Sequence, residues 1–194
     1  MTRINRLREL LTETTGSQII EFAVSLPLLV VLVVGIFDFG SAFNLKQKVH
    51  NATLLAARIG ANQPTRDLST TGSCNAPESI CAIRDSVASS LTAAKVNDCG
   101  LAATPAVPGT ALVWTFTATT NCAGTLTLTV ERGYTYTTTL NPPFEANYTI
   151  EATRATLSYP YRWQFSNVIK LLSPSASYPG ASQINSVVVI QNVT

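Results

Sequence analysis

The hydrophobic pattern of the chain changes twice, and each part predicts a different kind of element. The first part, from Gly16 to Phe43, is apolar almost throughout and carries no charge between Phe22 and Phe37. A helix rises about 1.5 Å per residue, so about 20 apolar residues cross the hydrocarbon core of a bilayer. This stretch is therefore predicted to be a membrane-spanning helix.

The second part keeps the helical period but has one apolar face. Its apolar residues recur at steps of four and three, which predicts an amphipathic continuation of the same helix. They are Leu45, Val49, Ala52, Ala56 and Ile59. Because this stripe must be covered, we expect it to pack on a globular domain of the same chain or on neighbouring subunits.

The third part predicts an α+β domain. After a polar linker, a second helix begins near Pro77, and from Thr110 the apolar residues alternate with a period of two, as in strands. Strands are predicted over residues 112–119, 125–130, 134–138, 147–159 and 187–190, with a short helix over 165–172. The predicted fold is a long amino-terminal helix, half transmembrane and half amphipathic, packed on one further helix and an antiparallel sheet.

Three details of the predicted sheet follow from the same pattern. Residues 121–124 predict a hairpin turn. The apolar phase of the fourth strand slips between Ala152 and Ala155, which predicts a β-bulge. The high threonine content of the strands predicts a sheet with one buried face and one uncharged, solvent-exposed face.

The most aromatic segment runs from Tyr159 to Phe165. Such residues occur in partner-binding patches, in the interfacial belt of membrane proteins and in ordinary cores. The sequence leaves these three alternatives open.

Two carboxylates lie inside the apolar stretch, Glu21 near its start and Asp38 near its end. An acid costs about 2.5–3.5 kcal/mol at the bilayer centre and less near the interface, so it usually has a partner or a function. For Asp38, proximity to the headgroups is an equally good explanation. For Glu21, the preceding residues favour a function.

Glu21 is the fifth residue counted from Ser17, and Phe22 follows it. Gly16 directly precedes Ser17, at the end of a short leader that carries arginines. This layout resembles the processing site of type IV prepilins and pseudopilins. The resemblance implies that a prepilin peptidase cuts after Gly16, that the new amino terminus is N-methylated, and that Glu21 is important for assembly.

Further residues sharpen this resemblance. Four features together resemble the TadE-like family, the minor pseudopilins of tight-adherence (Flp-type) pilus systems. They are the run Glu21-Phe22-Ala23, Pro27 within the apolar segment, the GIFDFG run at 35–40 and the AARIGA run at 56–61. The likeness ends at Asn62. It implies a non-enzymatic role in assembly of such a pilus or a related secretion apparatus, with other pilus subunits and the assembly machinery as partners.

Four cysteines follow the apolar stretch, at Cys74, Cys81, Cys99 and Cys122. An even number without CxxC spacing predicts two disulfides in an oxidising compartment rather than a zinc site. Three pairings are possible. We prefer Cys74 with Cys81 and Cys99 with Cys122, because short local loops close easily.

The basic residues do not indicate how the chain is oriented in the membrane, because three of them lie on each side of the span. The expected orientation therefore rests on the cysteines. We expect a single-pass protein of the bacterial inner membrane, with its amino terminus in the cytoplasm and its carboxyl-terminal domain in the periplasm or outside. The expected divisions are a leader at 1–16, the long helix at 17–62 and an extracytoplasmic domain at 63–194.

Composition argues against other functions. A net charge of +2 and a charged fraction of 12% do not favour nucleic-acid binding. The single histidine, His50, has no neighbouring acid in the sequence, and no phosphate loop, metal-ligand set or catalytic pair is present. We therefore expect no enzyme activity, metal, cofactor or small-molecule substrate.

Two alternatives concern the apolar stretch. In one, the leader is never cut and the chain is a membrane-anchored extracytoplasmic binding or adhesion protein. In the other, Gly40-Ser41-Ala42 is the cleavage site of a secretory signal. The apolar run exceeds the usual 7 to 15 residues of such signals and carries Asp38 just before the cut, which disfavours the second alternative.

Overall fold

The computed structural model describes residues 14–139, 147–164, 175 and 182–193. Within these ranges the helices are α1 (Thr14–Asn62) and α2 (Glu78–Ala93), and a short 3₁₀ turn covers Leu101–Ala103. The strands are β1 (Ala106–Pro108), β2 (Val113–Ala118), β3 (Leu126–Thr139), β4 (Asn147–Tyr161) and β5 (Ser182–Gln191). The α+β fold class predicted from the sequence is confirmed, whereas the short helix predicted over 165–172 lies outside the described residues.

The chain forms two compact units. In the first, the described residues are 14–41 of α1 together with Gln164 and Ser175. The second contains residues 42–62 of α1, α2 and all five strands. We refer to the second as the globular unit.

The sheet of the globular unit is an antiparallel meander in the order β1-β2-β3-β4-β5. The turn predicted at residues 121–124 lies between β2 and β3, as expected. The prediction of separate strands over 125–130 and 134–138 is wrong, because β3 runs through both. The three-residue β1 was not predicted.

A register shift explains why β3 is continuous. Glu131 pairs with Arg154 and Tyr134 with Ala152, so two residues of β3 lie opposite one residue of β4. The shift lies where the phase slip of β4 predicted a bulge, but the extra residue belongs to β3. A bulge of this kind bends the strand and changes the direction in which its side chains point.

The core of the globular unit lies between the two helices and one face of the sheet. The middle of the apolar stripe of α1, Val49, Ala52 and Ala56, is fully buried there, and Leu45 and Ile59 at its ends are partly buried. Fully buried partners come from α2 and the sheet: Ile80, Ile83, Val87, Leu91, Phe116, Leu128 and Leu157. The stripe therefore packs on a globular domain of the same chain, which is one of the two expected arrangements.

Small residues let the end of α1 approach the sheet closely. A Cβ atom added to Gly60 would lie 2.6 Å from Cγ2 of the buried Thr153 on β4. Glycine is therefore required here by proximity.

The opposite face of the sheet is largely uncharged, as the threonine pattern predicted. Its threonines are half-buried or exposed, and the hydroxyls of Thr115 and Thr129 on neighbouring strands lie 3.4 Å apart. Glu131 and Arg154 form an ion pair on the same face.

Two disulfides fasten the segments around α2. Cys74 is bonded to Cys81 and Cys99 to Cys122, which is the pairing that loop length favoured. The first joins the linker to the start of α2, and the second joins the loop after α2 to the turn between β2 and β3. The start of α2 is also held by Asp67, whose carboxylate oxygens accept hydrogen bonds from the backbone N–H of Ser79 at 2.8 Å and from its hydroxyl at 3.0 Å.

Candidate membrane and processing segment

The first half of α1 exposes its apolar side chains. The exposed fractions of Ile19, Val24 and Leu28 are 70%, 73% and 72%. Such a surface is unfavourable in water, since each apolar side chain contributes about 1.5–3 kcal/mol when it is removed from water. Among the described residues, α1 is the one helix long and apolar enough to cross a membrane, and its most apolar window is not buried by the rest of the chain. It is therefore a candidate membrane span.

The helix stays continuous through the residues that usually interrupt helices. Pro27 lies inside α1 and cannot donate a backbone hydrogen bond, yet both flanks are helical. The hydroxyl of Ser25 donates to the carbonyl oxygen of Phe22 at 3.2 Å. Among the described residues, a Cβ atom at Gly35 or Gly40 would meet no atom within 4 Å, so contacts with this part of the chain do not require glycine at either position.

The two acids of the apolar stretch have different surroundings. Glu21 lies on the exposed surface of α1, whereas Asp38 is only 1% exposed and its Oδ1 accepts the backbone N–H of Gln164 at 3.2 Å. The two acids are seventeen positions apart in the sequence, which corresponds to about 25 Å along a helix. The hydrocarbon core is about 30 Å thick. A span that contains both would place each acid near an interface.

The residues of the predicted processing site follow one another on a single helical segment. The backbone is helical from Thr14, so Gly16, Ser17, Glu21 and Phe22 all lie in the first turns of α1. Ser17 and Glu21 are four residues apart, a spacing at which two positions on a helix are about 5–6 Å from each other. If the chain is cut after Gly16, the ammonium group of Ser17 comes within one turn of the Glu21 carboxylate.

The remaining candidates of the sequence do not assemble into a reactive site. His50 is exposed, and its Nδ1 lies 3.1 Å from the hydroxyl of Ser186 on β5. All four cysteines are in disulfides. Within the described ranges, no group of three or more His, Cys, Asp or Glu side chains could hold a metal ion.

The aromatic segment joins the core of the globular unit. Tyr159 and Tyr161 are each 7% exposed, and the Tyr161 ring meets the half-buried Trp163 ring edge to face at 5.2 Å. The Tyr159 hydroxyl donates to the carbonyl oxygen of Asn97 at 2.9 Å. Burial raises the pKa of Tyr159, and the negative charge of Asp98 raises it further. These contacts favour the core alternative; Phe165 lies outside the described residues.

Arg132 is a buried charged residue that the sequence reasoning missed. Arg132 lies in the β3 bulge and is 3% exposed. The available signal was its position, two residues after Val130, where the alternation of β3 predicts an inward-facing side chain. The chain was instead predicted to break there.

The comparisons with known proteins concern the same helical segment. Residues 16–58 match the family model described as TadE-like protein. This match confirms the resemblance that residues 16–61 indicated and covers less than a quarter of the chain. No curated protein and no solved structure matches the chain.

Proposed function

We propose that this protein is a non-enzymatic TadE-like pseudopilin that acts in assembly of a tight-adherence pilus or a related secretion apparatus. The observation that carries the proposal is the family match over residues 16–58, because this segment contains both the apolar helix and the Gly16–Glu21 spacing. The exposed apolar side chains of α1 support membrane association.

The proposed mechanism begins with cleavage by a prepilin peptidase after Gly16, which creates a cationic amine on Ser17. Glu21 then lies at the cytoplasmic edge of the bilayer, where the low dielectric strengthens the attraction between its carboxylate and a nearby cation. The amine of an adjacent subunit supplies the counterion. Glu21 therefore sets the register between subunits, while the apolar surface of α1 supplies most of the packing.

The rest of the chain fits a periplasmic or extracellular location for the globular unit. Its two disulfides persist in an oxidising compartment and are rare in the cytoplasm. In this orientation the leader faces the cytoplasm, and the first half of α1 crosses the inner membrane once.

Deletion of this chain from its own bacterium tests the proposed role. We expect a strong reduction in surface pili, counted by electron microscopy, and recovery when the intact chain is supplied from a plasmid. A second plasmid that carries Thr156→Ser, a mild change on the outer face of β4, should restore pili equally. Normal pilus numbers in the deletion strain would contradict the proposal.

A further inference from the structure

Arg132 is a buried cation with incomplete hydrogen bonding. Its Nη2 donates to the carbonyl oxygen of Gln63 at 2.9 Å, and its backbone N–H donates to the carbonyl oxygen of Leu112 at 3.0 Å. Its Nε and Nη1 are buried and have no hydrogen-bond partner in the part of the chain that the structure describes. Buried polar groups are nearly always hydrogen-bonded, so these two nitrogens need an explanation.

The nearby acids do not satisfy this guanidinium. Asp67 acts on Arg132 only through its charge, and its carboxylate oxygens already accept hydrogen bonds from Ser79. Glu131 is paired with Arg154. Burial lowers the pKa of Arg132 and Asp67 opposes that effect, but an arginine stays protonated in proteins. Arg132 is therefore a charged group whose donors are only partly used.

A cavity of about 300 Å³ lies next to this guanidinium within the globular unit. Arg66 and Arg132 line it together with one acid, Glu151, and the charge of Asp67 also acts on Arg132. Ala61, Pro64 and Val193 give it an apolar part. Its volume is at the lower end of the range of about 300–1,000 Å³ for small-molecule sites.

We propose that this cavity is a binding site for a carboxylate group, held by the guanidinium group of Arg132 and by the charge of Arg66. Guanidinium groups bind carboxylates with strong, directional hydrogen bonds. Glu151 and Asp67 would repel a doubly charged phosphate more strongly than a singly charged carboxylate. The apolar part fits the hydrocarbon portion of a small organic acid or of an acidic side chain. The site is independent of the proposed role in pilus assembly.

Acetate is a suitable probe, and the Nε–H resonance of Arg132 is a direct readout. The full-length protein in detergent micelles, labelled with ¹⁵N-arginine, is titrated with sodium acetate and, separately, with sodium chloride. We expect a saturable shift of the Arg132 resonance with acetate alone. Arg154 is the internal control, because its guanidinium already pairs with Glu131 and lies 4.6 Å from the centre of the Tyr134 ring.

Two surface variants keep the test independent of folding. Arg66→Gln should weaken acetate binding by about tenfold, and Glu151→Gln should strengthen it several-fold, because each changes one charge at the cavity. Both side chains are exposed, so neither change should disturb the core. A shift that does not saturate, that chloride reproduces, or that neither variant alters would overturn the proposal.

Size-exclusion chromatography then distinguishes the sources of the carboxylate. Self-association that acetate reverses would assign the site to an acidic side chain of a second copy. An elution volume that acetate does not change, together with saturable acetate binding, would assign it to a free organic acid. Both outcomes support the site.

Discussion

Replacing Glu21 with alanine is expected to leave the protein in the membrane and to abolish most pilus assembly. Insertion should not suffer, because an acid within a span opposes insertion by up to about 2.5–3.5 kcal/mol. Assembly should fail because the amine of the neighbouring subunit loses its counterion. The readouts are the amount of this protein in the membrane fraction and the amount of pilus protein sheared from the cell surface.

The matched control for this experiment is Gln18→Ala, which removes an exposed polar side chain from the same part of α1 without changing charge. We expect this variant to assemble pili normally. Glu21→Asp keeps the charge on a shorter side chain and should retain part of the activity. Normal piliation by Glu21→Ala would count strongly against the proposed role of this carboxylate.

Removing the Cys99–Cys122 disulfide is expected to have the largest effect on the stability of the globular unit. The double change Cys99→Ala and Cys122→Ala should lower the free energy of unfolding by about 3 kcal/mol, because this bond closes a loop with a sequence separation of 23. The Cys74–Cys81 bond has a separation of only 7, so its removal should cost about 2 kcal/mol. Urea unfolding of the full chain in detergent, followed by circular dichroism, measures both.

The order of the two effects is the informative result, since each pair loses the same chemical group. The chain-entropy explanation predicts a greater loss for the longer loop. An equal loss, or a greater loss for the Cys74–Cys81 pair, would show that local packing around the cysteines dominates instead.

The parts of the fold that could be predicted are those that a local pattern determines. The apolar run and the stripe of α1 are visible in the sequence because a helix repeats every 3.6 residues, and Val49, Ala52 and Ala56 are buried as the stripe requires. The same holds for β2 and for most of β4. In these elements the buried residues recur with the period of the helix or strand itself, and that period does not depend on distant residues.

The parts that could not be predicted depend on residues far apart in the chain. β3 continues past Arg132 and Gly133 because β4 supplies backbone partners on both sides of the bulge. Asp67 holds the start of α2 from twelve residues away, and no local pattern indicates this contact. Periodicity reports which face a residue occupies but does not identify its partner.

For the candidate processing site, the sequence is more informative than the structure. The sequence alone indicated Gly16, Ser17, Glu21 and Phe22, because their meaning lies in spacing and in resemblance. The structure adds that they follow one another on a helical backbone whose neighbouring apolar side chains are exposed. The cavity beside Arg132 was found only in the fold, because it is built from the linker, the bulge, β4 and the chain after β5.

The amino terminus of the protein purified from its native membrane tests the central claim most directly. Intact mass spectrometry and terminal sequencing should find a chain that begins at Ser17 and carries one added methyl group. The same protein from a strain without its prepilin peptidase should keep the leader. An unmodified chain that begins at Met1 in the native strain would contradict this account and favour an uncleaved membrane anchor.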